Sequence, residues 1–331
     1  MFERYIRQLT VPEVSKNGQS LLNDTKILVV GAGGLGCSAL QFLIGAGCCN
    51  ITICDKDLIN QTNLHRQTLY NETNIGLKKV EVAKSILSKL NSNCKITIVD
   101  DNIKSENAFE IIEGHSVIID CGDSFSLSYI LSDECYKLKK PFFTSSAIRF
   151  EGYVGGFCGG GPSLRAVFPD LPDNIENCNT AGILGPVVGV LGSMQSQMVI
   201  NYILNLSPNP IGQMISINLK NYQFSSFRFD NASEPKKSNF KFISLNQIQK
   251  DDIVIELRDD KEMPVNRTNN IIRIPIANIE KRISEFDKNK HLIFMCRSGV
   301  RAWKAAKSIE DKWNNKISLI ADNEIISSYG K

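Results

Sequence analysis

A single cysteine stands in a short loop near the end of the chain, in the stretch FMCRSGVRAWKAA at 294–306. The loop joins an apolar strand to a predicted helix. Inward-facing backbone N–H groups, the helix N-terminus and the two arginines of the loop would each lower the pKa of the thiol. We therefore expect this loop to favour a thiolate or a persulfide. Its residues are Cys296, Arg297, Ser298, Gly299, Val300 and Arg301.

Two alternatives compete for the same loop. A cysteine-based phosphatase needs C-x5-R spacing, but the arginine at position 301 comes one residue too early, so the loop is too small for a phosphate. The other alternative is an ordinary turn in a domain that only docks partners.

A second candidate site lies near the N-terminus, in KILVVGAGGLGCSALQFLIGAGCCNITICDKD at 26–57. The pattern predicts a strand over 27–30, a helix over 38–46 and a strand over 51–54. A glycine turn between strand and helix lets N–H groups and a helix N-terminus approach a phosphate. Asp55 ends the second strand and could accept hydrogen bonds from a ribose. The glycines are Gly31, Gly33, Gly34 and Gly36.

Charged residues around this loop discriminate between two nucleotides. The glycine loop and Asp55 alone suggest NAD, and an NAD-dependent oxidoreductase is one alternative. Several cations and a carboxylate for Mg²⁺ instead suit a triphosphate. We therefore predict ATP with Mg²⁺. The residues concerned are Arg4, Arg7, Asp57, Asn63, Arg66, Lys78, Lys79, Asp120 and Asp123.

Strands and helices alternate over the first part of the chain, which predicts an α/β fold with a parallel-sheet core. The glycine-rich stretch at 150–161 indicates an antiparallel extension, the segment 183–204 a long buried helix, and the segment 214–229 a closing hairpin. The polar stretch DNASEPKKSN at 230–239 is typical of a flexible linker. The predicted organisation is a domain over 1–229, a linker over 230–239 and a small α/β domain over 240–331.

Composition excludes several classes of protein. The chain has 331 residues and a net charge of only +3, which argues against a nucleic-acid partner. No apolar run is long enough to span a membrane, and the N-terminus has no signal-peptide pattern. Ten cysteines are scattered without C-x-x-C pairs. That usage predicts a cytoplasmic protein with neither disulfides nor a cysteine-rich zinc site.

The first domain resembles the MoeB/ThiF family, the bacterial relatives of ubiquitin-activating enzymes. The matching strings are RYIRQ, VVGAGGLG, NLHRQTL, GLKKVEVAK, DCGDS, AIRFEG and NCNTAGILGPVVGVLGS. The resemblance implies a homodimer that uses ATP to adenylate the C-terminal Gly-Gly carboxylate of a small ubiquitin-like sulfur-carrier protein. A related class of enzyme activates a peptide or a small carboxylate instead.

The resemblance also assigns roles. It implies that Gly34 and its neighbours contact the nucleotide, that Asp55 holds the ribose and that Arg66 and Lys79 bind phosphates. It further implies that Asp123 binds Mg²⁺, that Arg7 reaches the partner's site and that Cys178 in NCNTAG links covalently to the carrier, unless that cysteine is only structural. Two departures stand out. Ser124 replaces an asparagine near the nucleotide. Ser163 and Ala166 stand where a zinc-binding cysteine pair would lie, so we predict no zinc.

The stretch from about 240 to 331 is similar to rhodanese domains, which carry sulfur as a cysteine persulfide. The similarity is strong only at CRSGVRAWKAA, so a partly degenerate, non-catalytic domain is the alternative. The resemblance implies that a donor such as a cysteine desulfurase loads Cys296. The persulfide would then convert the adenylated carrier to a thiocarboxylate for molybdopterin, thiamine or tRNA thiolation. A flexible linker would let the small domain visit the first site.

Overall fold

A computed structural model describes residues 3–170, 181–237, 239–259, 261–262 and 271–321. Its larger sheet has eight strands in the order β3-β2-β1-β4-β5-β6-β7-β8. The first five strands in that order run parallel, and β6, β7 and β8 extend the sheet in antiparallel fashion. The strands are β1 Lys26–Val30, β2 Asn50–Cys54, β3 Lys95–Val99, β4 Val117–Asp120, β5 Pro141–Ile148, β6 Glu151–Cys158, β7 Gln213–Asn218 and β8 Gln223–Arg228. The predicted parallel core, antiparallel extension and closing hairpin are confirmed.

Helices cover both faces of this sheet because its central strands are apolar on both sides. The long helix α8, Gly185–Ile203, packs against α3, Gly34–Gly45, and against β5 and β6. Within the described residues, the helices of this domain are α1 Ile6–Leu9, α2 Ser15–Asp24, α3 Gly34–Gly45, α4 Lys79–Leu90, α5 Ala108–Glu113, α6 Phe125–Lys137, α7 Leu164–Val167 and α8 Gly185–Ile203.

Helix α3 begins four residues earlier than the sequence pattern predicts, at Gly34 and not at position 38. Gly34 and Gly36 therefore lie in its first turn. A Cβ atom at Gly36 would collide with the carbonyl of Gly31, which shows how closely the helix approaches the end of β1. Apolar periodicity could not predict this helix start, because glycine has no side chain and adds nothing to the periodicity.

In the described part of the chain, a second sheet has five parallel strands in the order β11-β10-β12-β13-β9. Helix α10, Val300–Ile309, packs on β12 and β13, and the short α9, Ile279–Arg282, lies beside it. The strands are β9 Lys241–Phe242, β10 Ile253–Glu256, β11 Ile271–Arg273, β12 Leu292–Cys296 and β13 Ile317–Ala321. A small second α/β unit is thus present, and its assignment as rhodanese-like stays a prediction.

The two units share an apolar cluster that runs from α6 to α10. The rings of Tyr129 and Trp303 lie 5.4 Å apart. The guanidinium of Arg165 lies over both rings, at 4.7 and 5.5 Å from their centres. Arg165 also pairs with Asp133, with an Nε–Oδ1 distance of 2.6 Å, and donates to the carbonyl of Phe240 at 2.9 Å. This buried arginine joins the two units directly.

Described parts of the 230–239 segment make specific contacts. The carboxylate of Glu234 accepts hydrogen bonds from the backbone N–H and the hydroxyl of Ser163, at 2.8 and 2.6 Å. Lys237 pairs with Asp311 of the second unit at 2.6 Å. The segment is therefore attached to both units. The second unit already contacts the first domain, so it does not need a flexible linker to reach it. The domain boundaries themselves stay a prediction.

A disulfide joins Cys49 and Cys94, contrary to the prediction that the cysteines are unpaired. The two residues immediately precede β2 and β3, and the parallel register pairs Asn50 with Lys95. That register brings the two cysteine Cα atoms to 4.0 Å. The two cysteines are 45 residues apart in sequence, and their pairing depends on the register of β2 and β3, so it could not be predicted from the sequence pattern. Among the helices of the described residues, none has the length and apolar character to cross a membrane.

Candidate active site

The order of the larger sheet reverses at β1, whose neighbours are β2 on one side and β4 on the other. Ligands of open α/β sheets bind at the carboxyl ends of the strands at such a reversal. The glycine loop lies there. Gly31 has a φ of +94°, and a Cβ atom on it would lie 2.7 Å from the carbonyl oxygen of Cys121 after β4. Only glycine fits between these two strand ends, and the N-terminus of α3 follows at once.

Asp55 follows β2 and is held in one orientation. Its two carboxylate oxygens accept hydrogen bonds from the N–H groups of Ala32 and Asp57, both at 2.8 Å. Burial raises the pKa of Asp55, and the charge of Lys79 opposes that rise. An ionised carboxylate accepts about four hydrogen bonds, so Asp55 retains capacity for a ribose hydroxyl.

Lys79, predicted to bind phosphate, is buried at the start of α4. Its ammonium lies 2.7 Å from Asp57 Oδ2 and 3.9 Å from Asp55 Oδ2. The neighbouring Lys78 turns outward and pairs with Asp100. The structure thus brings Lys79 to the two carboxylates of the site, and a phosphate would compete with Asp57 for its charge.

Asn63, Arg66 and Arg7 are not among the residues that line the cavity at these strand ends, and neither is Lys79. The carbonyl of Arg66 lies 3.4 Å from the position of a Cβ on Gly34, so its backbone borders the glycine loop. Its guanidinium contacts the carbonyl of Thr62 at 3.1 Å and His65 Nε2 at 2.7 Å. Asn63 and Arg7 lie in a short 3₁₀-helix and in α1, respectively, and the Arg7 side chain is exposed. The proposed role of Arg7 in a partner's site stays a prediction.

The turn after β4 carries Asp123, which is exposed, and Ser124, whose hydroxyl lies 2.7 Å from that of Ser126. Asp120 anchors this turn. Its buried carboxylate accepts hydrogen bonds from the Gly122 N–H at 3.0 Å, and from the hydroxyls of Ser128 and Thr144 at 2.5 and 2.9 Å. Burial raises the pKa of Asp120 to about 6, although these hydrogen bonds lower it. Asp120 therefore positions the turn, whereas Asp123 faces the cavity.

A cavity of about 600 Å³ opens in front of these strand ends, a volume suited to a nucleotide. Gly31, Asp55, Asp57, Asp123 and Ser124 all line it. Sequence reasoning missed part of the lining, namely Asn102, Ile103, Leu127 and Ile130. The first two follow β3, and the rule that ligands collect at carboxyl ends of parallel strands could have found them. The apolar members offer a surface for a base.

The cysteine loop curls around its sulfur as predicted. The Sγ of Cys296 accepts hydrogen bonds from the N–H groups of Gly299 at 3.1 Å and Ala302 at 3.4 Å. Gly299 has a φ of +83°, which allows the loop to turn into α10.

The prediction of a lowered thiol pKa is wrong for this conformation. Cys296 is only 2% exposed, and burial raises its pKa despite the two N–H groups and Arg301. Arg301 also forms a bidentate pair with Glu262, which offsets its charge. Arg297 and Ser298 are exposed, and Val300 begins α10. The loop can hold a sulfur anion, but the thiol is largely shielded from solvent.

Two sequence predictions concern other positions. Cys178 lies outside the described residues. Ser163 caps α7, accepting a hydrogen bond from the N–H of Arg165 at 3.1 Å, and Ala166 lies within that helix. Within the described residues, no cluster of three or more His, Cys, Asp or Glu side chains could hold a metal. The absence of zinc stays a prediction.

Comparison with known proteins decides the family. The sequence model of the ThiF family matches residues 5–239. The chain belongs to the ThiF family. It is 38% identical over 229 residues to the adenylyltransferase and sulfurtransferase MOCS3 of Drosophila grimshawi, covering 68% of this chain and 51% of the relative. The MOCS3 of Aedes aegypti is 37% identical over 246 residues, covering 73% and 55%.

Solved structures agree on the fold. The structure of MccB of E. coli superposes with a TM-score of 0.63 at 23% identity, covering 71% of this chain and 73% of MccB. MccB has also been solved with ATP, with a TM-score of 0.61 to this chain. The predicted ThiF-like adenylation fold is confirmed. The chain spans about half the length of the curated relatives it matches. The family match ends at 239, before the second sheet.

Proposed function

We propose that this protein uses ATP to adenylate the C-terminal Gly-Gly carboxylate of a small ubiquitin-like sulfur-carrier protein, and that Cys296 then delivers sulfur to the acyl group. The observation that carries the proposal is the cavity at the strand reversal, where Asp55 and Asp123 lie beside the glycine loop of a ThiF-family fold. The names of the MOCS3 relatives support both halves of the activity. The product, a thiocarboxylate, would serve molybdopterin, thiamine or tRNA thiolation.

The residues of the cavity fit ATP with Mg²⁺. Gly31 and Gly36 allow β1 and α3 to approach closely, and the N-terminal N–H groups of α3 would bind the phosphates. Asp55 would hold the ribose, and Ile103 would contact the base. Asp123 would hold Mg²⁺, an oxygen-ligated cation that stabilises charge on transferring phosphates.

In the adenylation step, an oxygen of the carrier's carboxylate attacks the α-phosphorus of ATP. An O–P bond forms, and the bond to pyrophosphate breaks. Lys79 and Arg66 would stabilise the charge that develops on the phosphates. Lys79 must then exchange its contact with Asp57 for one with phosphate. Arg7 from the second copy of a homodimer would complete the site.

In the sulfur step, a cysteine desulfurase first loads Cys296 as a persulfide. The terminal sulfur attacks the acyl carbon, a C–S bond forms and AMP leaves with the electrons of the C–O bond. A thiol then attacks the resulting acyl disulfide at Cys296 Sγ and releases the thiocarboxylate. Cys178 would supply that thiol, or would take the acyl group first. A cellular thiol reduces the disulfide that remains.

One observation favours a second candidate function, in which the C-terminal unit only docks partners. Cys296 is buried, and its thiol pKa is raised. A thiol in that state is a poor nucleophile. In this alternative the chain adenylates its substrate and another protein supplies the sulfur.

ATP–pyrophosphate exchange tests the first half, measured with a panel of small proteins that end in Gly-Gly. We expect exchange with one carrier and its loss in Asp123→Ala. No exchange with any carrier, from protein that still binds ATP, would refute the carrier and favour a peptide or small-molecule substrate. Thiocarboxylate formation tests the second half. A normal rate in Cys296→Ala with a physiological donor would refute sulfur transfer by Cys296 and favour the docking alternative.

A further inference from the structure

The second unit closes one side of the nucleotide cavity. Phe242 ends β9, Arg297 directly follows β12 and Ala321 ends β13, and all three line the cavity. The carboxyl ends of the parallel strands in the small sheet thus face the carboxyl ends of β1, β2 and β4. The two sheets share a single cavity, with the glycine loop on one wall and the cysteine loop on the other.

Specific contacts hold this arrangement at the rim of the cavity. The hydroxyl of Ser105, after β3, lies 3.1 Å from the hydroxyl of Ser244 and donates to Gln247 Oε1 at 2.6 Å. The rings of Phe125 on α6 and Phe242 pack edge to face with centres 5.8 Å apart. Together with the buried Arg165, these contacts fix the second unit over the cavity.

The cavity is lined by more carboxylates than cations, and the second unit supplies one of those cations. Among the described residues, five carboxylates line the cavity but only three cations do, and a polyphosphate needs cations. Two of the three, Lys56 and Lys104, come from the first domain, and the third is Arg297 from the cysteine loop. The carboxylates are those of Asp55, Asp57, Asp101, Glu106 and Asp123.

We propose that Arg297 binds a phosphate group of the nucleotide, so that the cysteine loop takes part in nucleotide binding. Its side chain is exposed toward the cavity while the adjacent Cys296 is buried. A guanidinium binds phosphate oxygens in bidentate fashion, which suits this position better than an ammonium would. The inference rests on the proposed function, because it takes the cavity to be an ATP site. It also places the adenylated carboxylate next to the cysteine loop without movement of a domain.

Isothermal titration of the full chain with ATP, AMP and adenosine tests this role. We expect Arg297→Ala to weaken ATP binding about tenfold or more, as the loss of a charge-assisted contact does. Adenosine, which has no phosphate, should bind to Arg297→Ala as tightly as it binds to the wild type. Arg297→Lys should bind ATP with intermediate affinity. The matched control is Arg282→Ala, which removes an exposed arginine of the same unit that pairs with Glu285 and should leave all three affinities unchanged.

Two outcomes would overturn the inference. Wild-type ATP affinity in Arg297→Ala would show that the guanidinium does not contact phosphate. An equal loss of ATP and adenosine binding, with an unchanged unfolding temperature, would show that the substitution only disturbs the cavity wall. Failure of the wild-type chain to bind ATP would refute the proposed function itself. If the wild type binds ATP and Arg297→Ala binds it equally well, only the role of Arg297 is refuted.

Discussion

The ammonium of Lys79 lies 2.7 Å from a carboxylate oxygen of Asp57, and both flank the half-buried Asp55. The adjacent Lys78 makes a similar ion pair with Asp100 but on the exposed side of α4. Two neighbouring lysines therefore occupy opposite environments, and only one of them adjoins the carboxylates of the candidate site.

This contrast predicts different effects for two equivalent substitutions. We expect Lys79→Met to reduce ATP–pyrophosphate exchange by about a hundredfold or more, the usual cost of losing one group that stabilises transition-state charge. Lys78→Met is the matched control and should retain exchange close to the wild-type rate. Equal effects of the two substitutions would contradict the assignment of Lys79 to phosphate binding.

The buried Asp120 predicts how stability depends on pH. Its pKa is raised to about 6 in the folded protein, above the ordinary value of 3.8. The folded state therefore binds the proton more tightly than the unfolded state, so the stabilisation present at low pH is lost as pH rises from about 4 through 6. The loss is on the order of 3 kcal/mol. Asp55, whose pKa is also raised, contributes in the same direction.

Chemical denaturation between pH 4 and 7 would measure this dependence. In Asp120→Asn, which cannot ionise, the decline in unfolding free energy over that range should be smaller than in the wild type. An equally steep decline in the variant would show that another group causes it. Asp123→Asn, which changes the exposed carboxylate of the same turn, is the matched control.

The contact between Ser163 and Glu234 predicts that the carboxylate of Glu234 helps to attach the 230–239 segment to the first domain. We expect Glu234→Ala to lower the free energy of unfolding by about 1–3 kcal/mol, because two hydrogen bonds to a charged group are lost. Cleavage by a protease next to this position should also become faster. Lys237→Ala removes an exposed pair in the same segment and should have little effect on either measurement. Unchanged stability and cleavage in Glu234→Ala would show that the contact does not hold the segment.

The pair between Glu262 and Arg301 predicts the reactivity of Cys296. Arg301 lowers the pKa of Cys296, and Glu262 offsets the charge of Arg301. We expect Glu262→Gln to lower the thiol pKa and to increase its alkylation rate severalfold at neutral pH, whereas Arg301→Met should decrease that rate. Mass spectrometry of alkylated Cys296 as a function of pH would measure both. Glu285→Gln, in an exposed pair of the same unit, is the control. A shift of the pKa in the opposite direction would exclude this coupling.

Sequence patterns determined much of the first domain. Apolar runs and glycines are local signals, and they predicted the parallel core, the glycine loop, the long α8 and the hairpin of β7 and β8. The joint pattern of RYIRQ, GAGGLG and NLHRQ indicated the family, because each string is short and contiguous. Asp55 and Asp123 could be predicted as site residues because Asp55 directly follows β2 and Asp123 lies in the turn after β4, and the ends of parallel strands converge at one edge of the sheet.

Only the tertiary structure decided the relationships between distant segments. The disulfide of Cys49 and Cys94 depends on strand register, and the raised pKa of Cys296 depends on how α10 and its neighbours bury the loop. The position of Arg297 on the wall of the nucleotide cavity depends on how the second unit packs through Arg165 and Trp303. A sequence specifies the residue types that can bind or react. Burial and proximity across the fold set their charge and their neighbours, and no local pattern encodes those.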